Sequence, residues 1–387
     1  MSQTWNVRPV GHSDLGGFGD GMHVQLKDGY AFVGHMGEAG TSIVDVRDPS
    51  DPRVVGRLQG ARNTHAHKVQ IQGDVMLTNR ELIPRHSPPH ERGLAIHDIS
   101  DPVRPRQIGS WPCGGLGVHR MTWWEGPYAY VTAGDDQVEK QFLVILDLSD
   151  PSRPREAGRW WFPGQREGEE RTWDDTWWVK LHHAIVRDGI AYCGYWDQGI
   201  VLLDVRDPSA PSLLSHLQPG HDVQRATHTV CPLPGRAIAV TTEERIPAGC
   251  VGVAPNMRLL DISNPSSPSV ITTFPVPEGK FCDAGGRFGP HNVHEPKPGS
   301  LVDGTTVYAT YFNAGLRVYD VSNAAAPVEI AHYVPDPPVG QPAVQFNDIL
   351  VAPDGLIYVT DRLAGGLHIL ELTAGAVTAR PARATGS

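Results

Sequence analysis

The run Ile43-Val44-Asp45-Val46-Arg47-Asp48-Pro49 decides the fold, because it comes back. Ile96-His97-Asp98-Ile99-Ser100-Asp101-Pro102, Leu146-Asp147-Leu148-Ser149-Asp150-Pro151, Leu203-Asp204-Val205-Arg206-Asp207-Pro208 and Leu260-Asp261-Ile262-Ser263-Asn264-Pro265 repeat it. Tyr319-Asp320-Val321-Ser322-Asn323 and Ile369-Leu370-Glu371-Leu372 are weaker copies. The aspartates from Asp45 to Asp320 follow one another every 49 to 59 residues. A fixed period overrides the two-domain expectation that 387 residues would otherwise raise.

Upstream of each run lies a second marker, a histidine that opens an apolar strand. His23, His67 and His183 each reach a turn glycine (Gly29, Gly73, Gly189) six residues on. His119 and His228 reach Gly126 and Gly235 after seven, His291 opens a longer copy ending at Gly304, and Asn347 stands at the seventh position. Each unit then reads as four strands. A starts at the His, B is Tyr30-Ala31-Phe32-Val33 and its equivalents, C is the Asp-containing run, and D follows the Asp-Pro turn. Alternation, β-branched and aromatic enrichment, and Gly/Pro/Asp punctuation favour strands over helices. Seven four-stranded units make an all-β, seven-bladed propeller. The last unit lacks a strand D, and Arg8-Pro9-Val10-Gly11 looks like one without a unit, so the N-terminus is expected to close the ring. This makes residues 1–373 one domain, with a frayed tail over 374–387.

The repeated Leu-x-Ile-x-Asp-Val-Ser-Asp-Pro pattern resembles the LVIVD-repeat motif over nearly the whole chain, and that resemblance also implies a propeller. The motif is specific for the repeat and says little about function.

Composition excludes several functions. A net charge of −10 with no basic stripe argues against nucleic acid and anionic membranes as partners. No stretch of 18 apolar residues exists, and the N-terminus shows no secretory pattern. The five cysteines form no CxxC pair and read as free thiols in a reducing cytoplasm. No phosphate loop, GxSxG elbow or HExxH is present.

In a propeller the start of strand A shares a face with the B–C and D–A loops. The long insertions all fall there: 82–92 and 245–256 in B–C loops, and 162–180, 275–290 and 333–346 in D–A loops. The C–D turns on the other face are short and uniform. Histidines converging on the elaborated face point to a divalent transition metal, iron first, with Mn, Zn or Cu as alternatives. The ligand set is expected from His67, His183, His228 and His291, then His119 and His23. His65, His182, His294 and Asn347 lie close by. Glu81 and Glu244, at the ends of B strands, are expected to orient rings or act as general bases. Arg80 and Arg362 occupy equivalent points and suit an anionic substrate group. Trp173, Trp177 and Trp178 fall in one insertion and suggest a lid over an aromatic substrate, with Tyr195, Trp196, Tyr311 and Phe312 lining the pocket.

The arrangement is similar to two propeller families, carotenoid-cleavage-type oxygenases and selenium-binding proteins that include methanethiol oxidases. The expectation is a cytoplasmic metalloenzyme acting on a small aromatic molecule, with iron-dependent oxidative cleavage preferred. The alternatives are metal-dependent lyase or hydrolase chemistry with a glutamate base, and a non-catalytic protein-binding propeller. A homo-oligomer is allowed by this reading.

Overall fold

The structure, a computed structural model, describes residues 2–82, 91–218, 226–250 and 255–378. Seven antiparallel sheets follow one another along the chain. Blade 1 is Gly21–Lys27, Tyr30–His35, Thr41–Asp45 and Arg53–Leu58, in that order from the inner strand outward. Blades 2 to 5 repeat the pattern up to Ser269–Thr273. Blade 7 is Phe346–Val351, Ile357–Asp361 and Leu367–Leu372, and Val7–Ser13 supplies its outer strand, with Val7 opposite Leu372 and Ser13 opposite Leu367. The ring is therefore closed by the N-terminus, as the unpaired Arg8-Gly11 segment implied.

The chain end holds a second blade as well. Gln3–Trp5 pairs with Val328–Val334 as an added outer strand of blade 6. At the other edge of that blade the inner strand is reduced to a bridge between Val293 and Ala309. At the C-terminus, Ala374–Thr378 form a short helix, with Ala376 buried in the core, where fraying was expected from Ala374 onward. The rest of that expected tail lies outside the described residues. No helix among the described residues is long and apolar enough to cross a membrane.

The repeated Asp-x-Ser/Arg-Asp-Pro turn has two physical jobs. Its first aspartate accepts a hydrogen bond from the backbone N–H two residues on, as Asp98 does from Ser100 and Asp204 from Arg206. The turn also docks on the preceding blade. A Cβ on Gly11, Gly109 or Gly158, all in outer strands, would lie 2.0–2.5 Å from the carbonyl oxygen of Pro49, Pro151 or Pro208. At the corresponding point of blade 4, Ser215 donates to the Pro265 carbonyl at 2.7 Å instead. The glycines that follow the second proline in the sequence are thus the seats for the next blade's turn.

The long inner connection of blade 6 plugs the channel at the plain face. Glu295 accepts from Arg120 of blade 3 at 2.5 Å, and the Pro296 carbonyl accepts from Arg187 of blade 4 at 2.8 Å. Lys297 donates to Gln25 of blade 1 at 2.8 Å, and Leu301 N–H to Val351 of blade 7 at 2.9 Å. Two clefts of about 500 and 580 Å³ flank Pro298, and neither is lined by a histidine.

Arg120 is 2 % exposed, so breaking its pair with Glu295 leaves a buried carboxylate uncompensated. R120M should cost about 3–5 kcal/mol, measured as a fall in the urea midpoint. R120M/E295L, which removes both charges, should recover most of that loss.

Candidate metal centre

At the mouth opposite the plug, every inner strand but that of blade 2 begins with an irregularity that opposes two of its residues to one of its neighbour's. The pairing skips Met22, His228 and Asn347 in blades 1, 5 and 7. In blade 4 His182 and His183 both face Gly194, and in blade 3 His119 and Arg120 both face Thr132. In blade 6 His291 and Asn292 both bond Thr310. Such bulges aim consecutive side chains the same way. The result is two tiers.

The upper tier is an arc of imidazoles drawn from five blades. His65 stacks on His67 with ring centroids 3.9 Å apart, and His67 lies 5.0 Å from His119. His119 lies 4.9 Å from His182, His182 stacks on His228 at 3.5 Å, and His228 is 4.4 Å from His291. Asn347 and Met22 complete the tier, Asn347 donating to the Met22 carbonyl at 2.5 Å.

The lower tier is charged. It contains His23, Lys68, Arg120, His183, Asn292 and Asp348, all buried. His183 Nε2 meets the Thr122 hydroxyl at 2.8 Å, and its Nδ1 is 3.5 Å from Glu295. His23 accepts the Val69 N–H at 3.3 Å and stands 3.7 Å from Asp348. His23 and His183, expected among the metal ligands, therefore belong to the network that holds the plug, and His182 takes the place given to His183. The cause is the turn. Blades 1 and 4 turn on Asp28-Gly29 and Asp188-Gly189, with both residues at positive φ, whereas blade 2 turns on Gly73-Asp74. Counting back from the glycine moves the register by one between these blades.

The hydrogen bonds prepare the upper imidazoles as ligands. His182 Nδ1 donates to the His228 carbonyl at 2.7 Å, and His291 Nδ1 to the Asn347 carbonyl at 2.6 Å. His119 Nδ1 donates to Glu81 at 2.8 Å. A carbonyl or carboxylate only accepts, so each of these rings keeps its Nε2 lone pair free. His228 Nδ1 meets the Thr229 hydroxyl at 2.9 Å. His65 differs: its Nδ1 accepts the Gly37 N–H at 2.9 Å, which places the proton of the neutral ring on Nε2.

Among the described residues, two groups bring three donor atoms within 4.8 Å of one another: His228, Glu244 and His291, and His65, His67 and Glu81. In the first, the Nε2 atoms of His228 and His291 each lie 3.7 Å from a Glu244 oxygen, too long for a hydrogen bond and suited to an ion between them. Arg287 donates to Glu244 Oε1 at 2.7 Å and holds the carboxylate in place. In the second, both Glu81 oxygens are taken, by His119 and by Gln141 at 2.8 Å. The two glutamates, given equal weight in the sequence, thus divide the work: Glu244 faces the imidazoles and Glu81 orients one.

Burial lowers the pKa of His65 to about 4 and those of His67, His182, His228 and His291 well below their ordinary value, so the rings are neutral at pH 7. Burial opposes ionisation of Glu81, but His119, His65 and Lys180 prevail and hold it at about 2. Burial, with Arg287 nearby, brings Arg362 down to about 10, still charged.

The other expected residues separate cleanly. Arg362 reaches the mouth, 3.8 Å from Glu244. Arg80 does not: it pairs with Glu91 and Gln107 away from the channel. His294 spends both nitrogens, on the Leu301 carbonyl at 2.8 Å and the Val351 N–H at 3.2 Å. Tyr195 and Tyr311 are core residues, while their successors Trp196 and Phe312, both at φ 41, turn toward the imidazoles. Trp196 lies 6.3 Å from His182 and Phe312 4.7 Å from His291. Trp173 and Trp177 pack on the core, and Trp178, 48 % exposed, rests on Trp196. Lys180, Arg287, Asn79 and Gln141 were not foreseen, since nothing in the repeat marks them. The loops at 82–92 and 245–256 lie partly outside the described residues.

The free-thiol reading fails for two cysteines. Cys250 and Cys282 form a disulfide, which ties the blade 5 B–C loop to the insertion that carries Arg287. Cys113, Cys193 and Cys231 are free.

The LVIVD repeat family matches residues 18–59, 121–160, 185–218, 250–275 and 301–334. No curated protein matches the sequence. Among solved structures, U3-55K is similar with a TM-score of 0.60 at 8 % identity, over 95 % of this chain and 98 % of that one. The β-propeller domain of Cps50 (Swd1) from Myceliophteria thermophila has a TM-score of 0.59 at 11 % identity, over 96 % and 100 %. The N-terminal domain of Nup159 has 0.57 at 10 %, over 96 % and 97 %. Likeness at such identities shows the fold alone.

The buried neutral rings make the metal-free protein acid-sensitive. Below an unfolded-state pKa of about 6.5 the unfolded chain binds more protons than the folded one, so stability falls as pH drops from about 6.5 toward 4. Urea midpoints measured after chelation should decline across that window; a flat profile contradicts it.

Proposed function

For this chain, which belongs to the LVIVD-repeat propellers, we propose a metal-dependent enzyme whose ion sits at the channel mouth on His228, His291 and Glu244. The observation that carries the reading is the pair of Nε2 atoms facing one carboxylate at 3.7 Å, with the His291 ring fixed through its other nitrogen. His182, stacked on His228 with its Nε2 lone pair free, is the next donor. His119 and His67 continue the arc. This set differs from the all-imidazole shell expected from the sequence in taking Glu244 as a ligand.

Two imidazoles and one carboxylate with open positions are the donor set of non-haem iron oxygenases. Iron therefore ranks ahead of Mn, Zn or Cu, and oxidative cleavage of a small aromatic molecule with dioxygen is the favoured chemistry. The protein's part is to hold the ion, to keep the rings neutral by burial, and to close the far end of the channel with the plug. A second reading keeps the ion and makes Glu244 a base for a bound water, as a lyase or hydrolase requires. The 3.7 Å gaps accommodate a water as well as an ion. Cytoplasmic placement rested on free thiols, and the Cys250–Cys282 disulfide removes that support.

Elemental analysis of untagged protein should find about one iron per chain, and H228A or H291A should lose most of it while remaining folded. Metal far below one per chain, unchanged in either variant, would return the protein-binding reading. R287Q, which loosens the hold on the Glu244 carboxylate, should weaken metal affinity by about 10–100-fold, in a competition titration against a chelator.

A further inference from the structure

The mouth carries two cations whose hydrogen-bonding capacity is unspent. The Arg362 guanidinium makes no hydrogen bond to another described residue. The carboxylate it pairs with, Glu244 Oε1 at 3.8 Å, is already taken by Arg287 at 2.7 Å, and Asp361 nearby is held by the backbone N–H groups of Gln345 and Leu363. Lys180 makes no hydrogen bond or ion pair with a described residue either. Its Nζ sits 5.6 Å from the Trp178 ring centroid and 5.1 Å from that of Trp196. These two cations flank the His182–His228–His291 stretch of the arc: Lys180 by Trp196 and His182, Arg362 by Phe312 and His291.

The surroundings keep Arg362 presented. Phe312 is fully buried and serves as a platform, with Arg287 at 5.6 Å and Arg362 at 5.8 Å from its ring centroid. A guanidinium resting on an aromatic face has its planar fork pre-organised for a planar bidentate partner. Charge points the same way. Lys180, Arg287 and Arg362 are matched by Glu81, Glu244 and Asp361 with the imidazoles neutral, so a divalent ion leaves the mouth with a positive excess for an anion to offset. An apolar surface is also at hand, since Trp178 is half exposed and edge-packed on Trp196.

We propose that the substrate is an aromatic carboxylate, its carboxylate held by Arg362 and its ring lying across the imidazole arc toward Trp178 and Lys180. The proposal rests on the mouth being the reactive site, and deepens that reading by naming the substrate class. A site whose buried donor is built for a carboxylate rejects the isosteric amide, because the guanidinium is then left without its anion.

The test is calorimetric titration with 4-hydroxybenzoate and 4-hydroxybenzamide, on metal-loaded and on chelator-treated protein. The acid should bind at least tenfold more tightly than the amide in both preparations, because Arg362 belongs to the chain and not to the ion. R362Q should abolish the difference, R362K should keep part of it, and W178A should weaken both ligands alike. Equal binding of acid and amide by wild type, or a preference that survives R362Q, overturns the proposal even in protein that carries its full metal. Protein that holds no metal yet still prefers the acid supports the carboxylate site and sinks only the metal centre.

Discussion

Two consecutive side chains of nearly every inner strand face the channel, because the strand starts with a bulge. This backbone irregularity organises the molecule. Without it, strict alternation would send one of each pair into a blade interface. With it, the upper residue of each pair joins a ring of imidazoles and the lower one joins a ring of charges. The same local geometry therefore builds the candidate centre and the floor beneath it.

The floor matters as much as the mouth. Arg120, Glu295, Asn292 and Asp348 form a connected buried network, with Arg120 reaching Asn292 at 3.0 Å and Asn292 reaching Asp348 at 2.9 Å. Buried charges are tolerated when each is paired and hydrogen-bonded. Here the pairing pins the blade 6 segment across the channel, and a through-passage becomes a closed-ended pocket. The channel is bridged beneath the imidazoles by a salt-bridge network that no single blade could make. At the other side, the Cys250–Cys282 disulfide holds the insertion that brings Arg287 to Glu244, so the orientation of one carboxylate depends on a covalent clamp between two loops.

Two registers show how much of this was readable. The Asp-Pro turns, the strand alternation and the unpaired N-terminal strand led directly to seven blades and their closure. The histidine register went wrong in blades 1 and 4, where the turn glycine stands second in its hairpin and not first as in blade 2. One residue of slip exchanged His182 for His183 and Met22 for His23. The pairs Tyr195-Trp196 and Tyr311-Phe312 slipped likewise: both members of each were assigned to the pocket, but only the second, at positive φ, turns to it. Lys180 and Arg287 are illegible in the sequence for another reason, since they lie in insertions outside the repeat and acquire meaning only from what surrounds them.

The amino-acid sequence alone determined the repeat, the strand order, the ring closure and the face that carries the histidines, because periodicity and turn chemistry are local properties written once per unit. Only the tertiary structure decided which imidazoles share a tier, which glutamate faces them, that Cys250 finds Cys282, and that the blade 6 connection closes the channel. Those outcomes depend on hairpin register, backbone bulges and contacts between residues more than a hundred positions apart, such as Arg120 with Glu295, and a single-residue shift in any of them redirects a side chain to the opposite side of its strand.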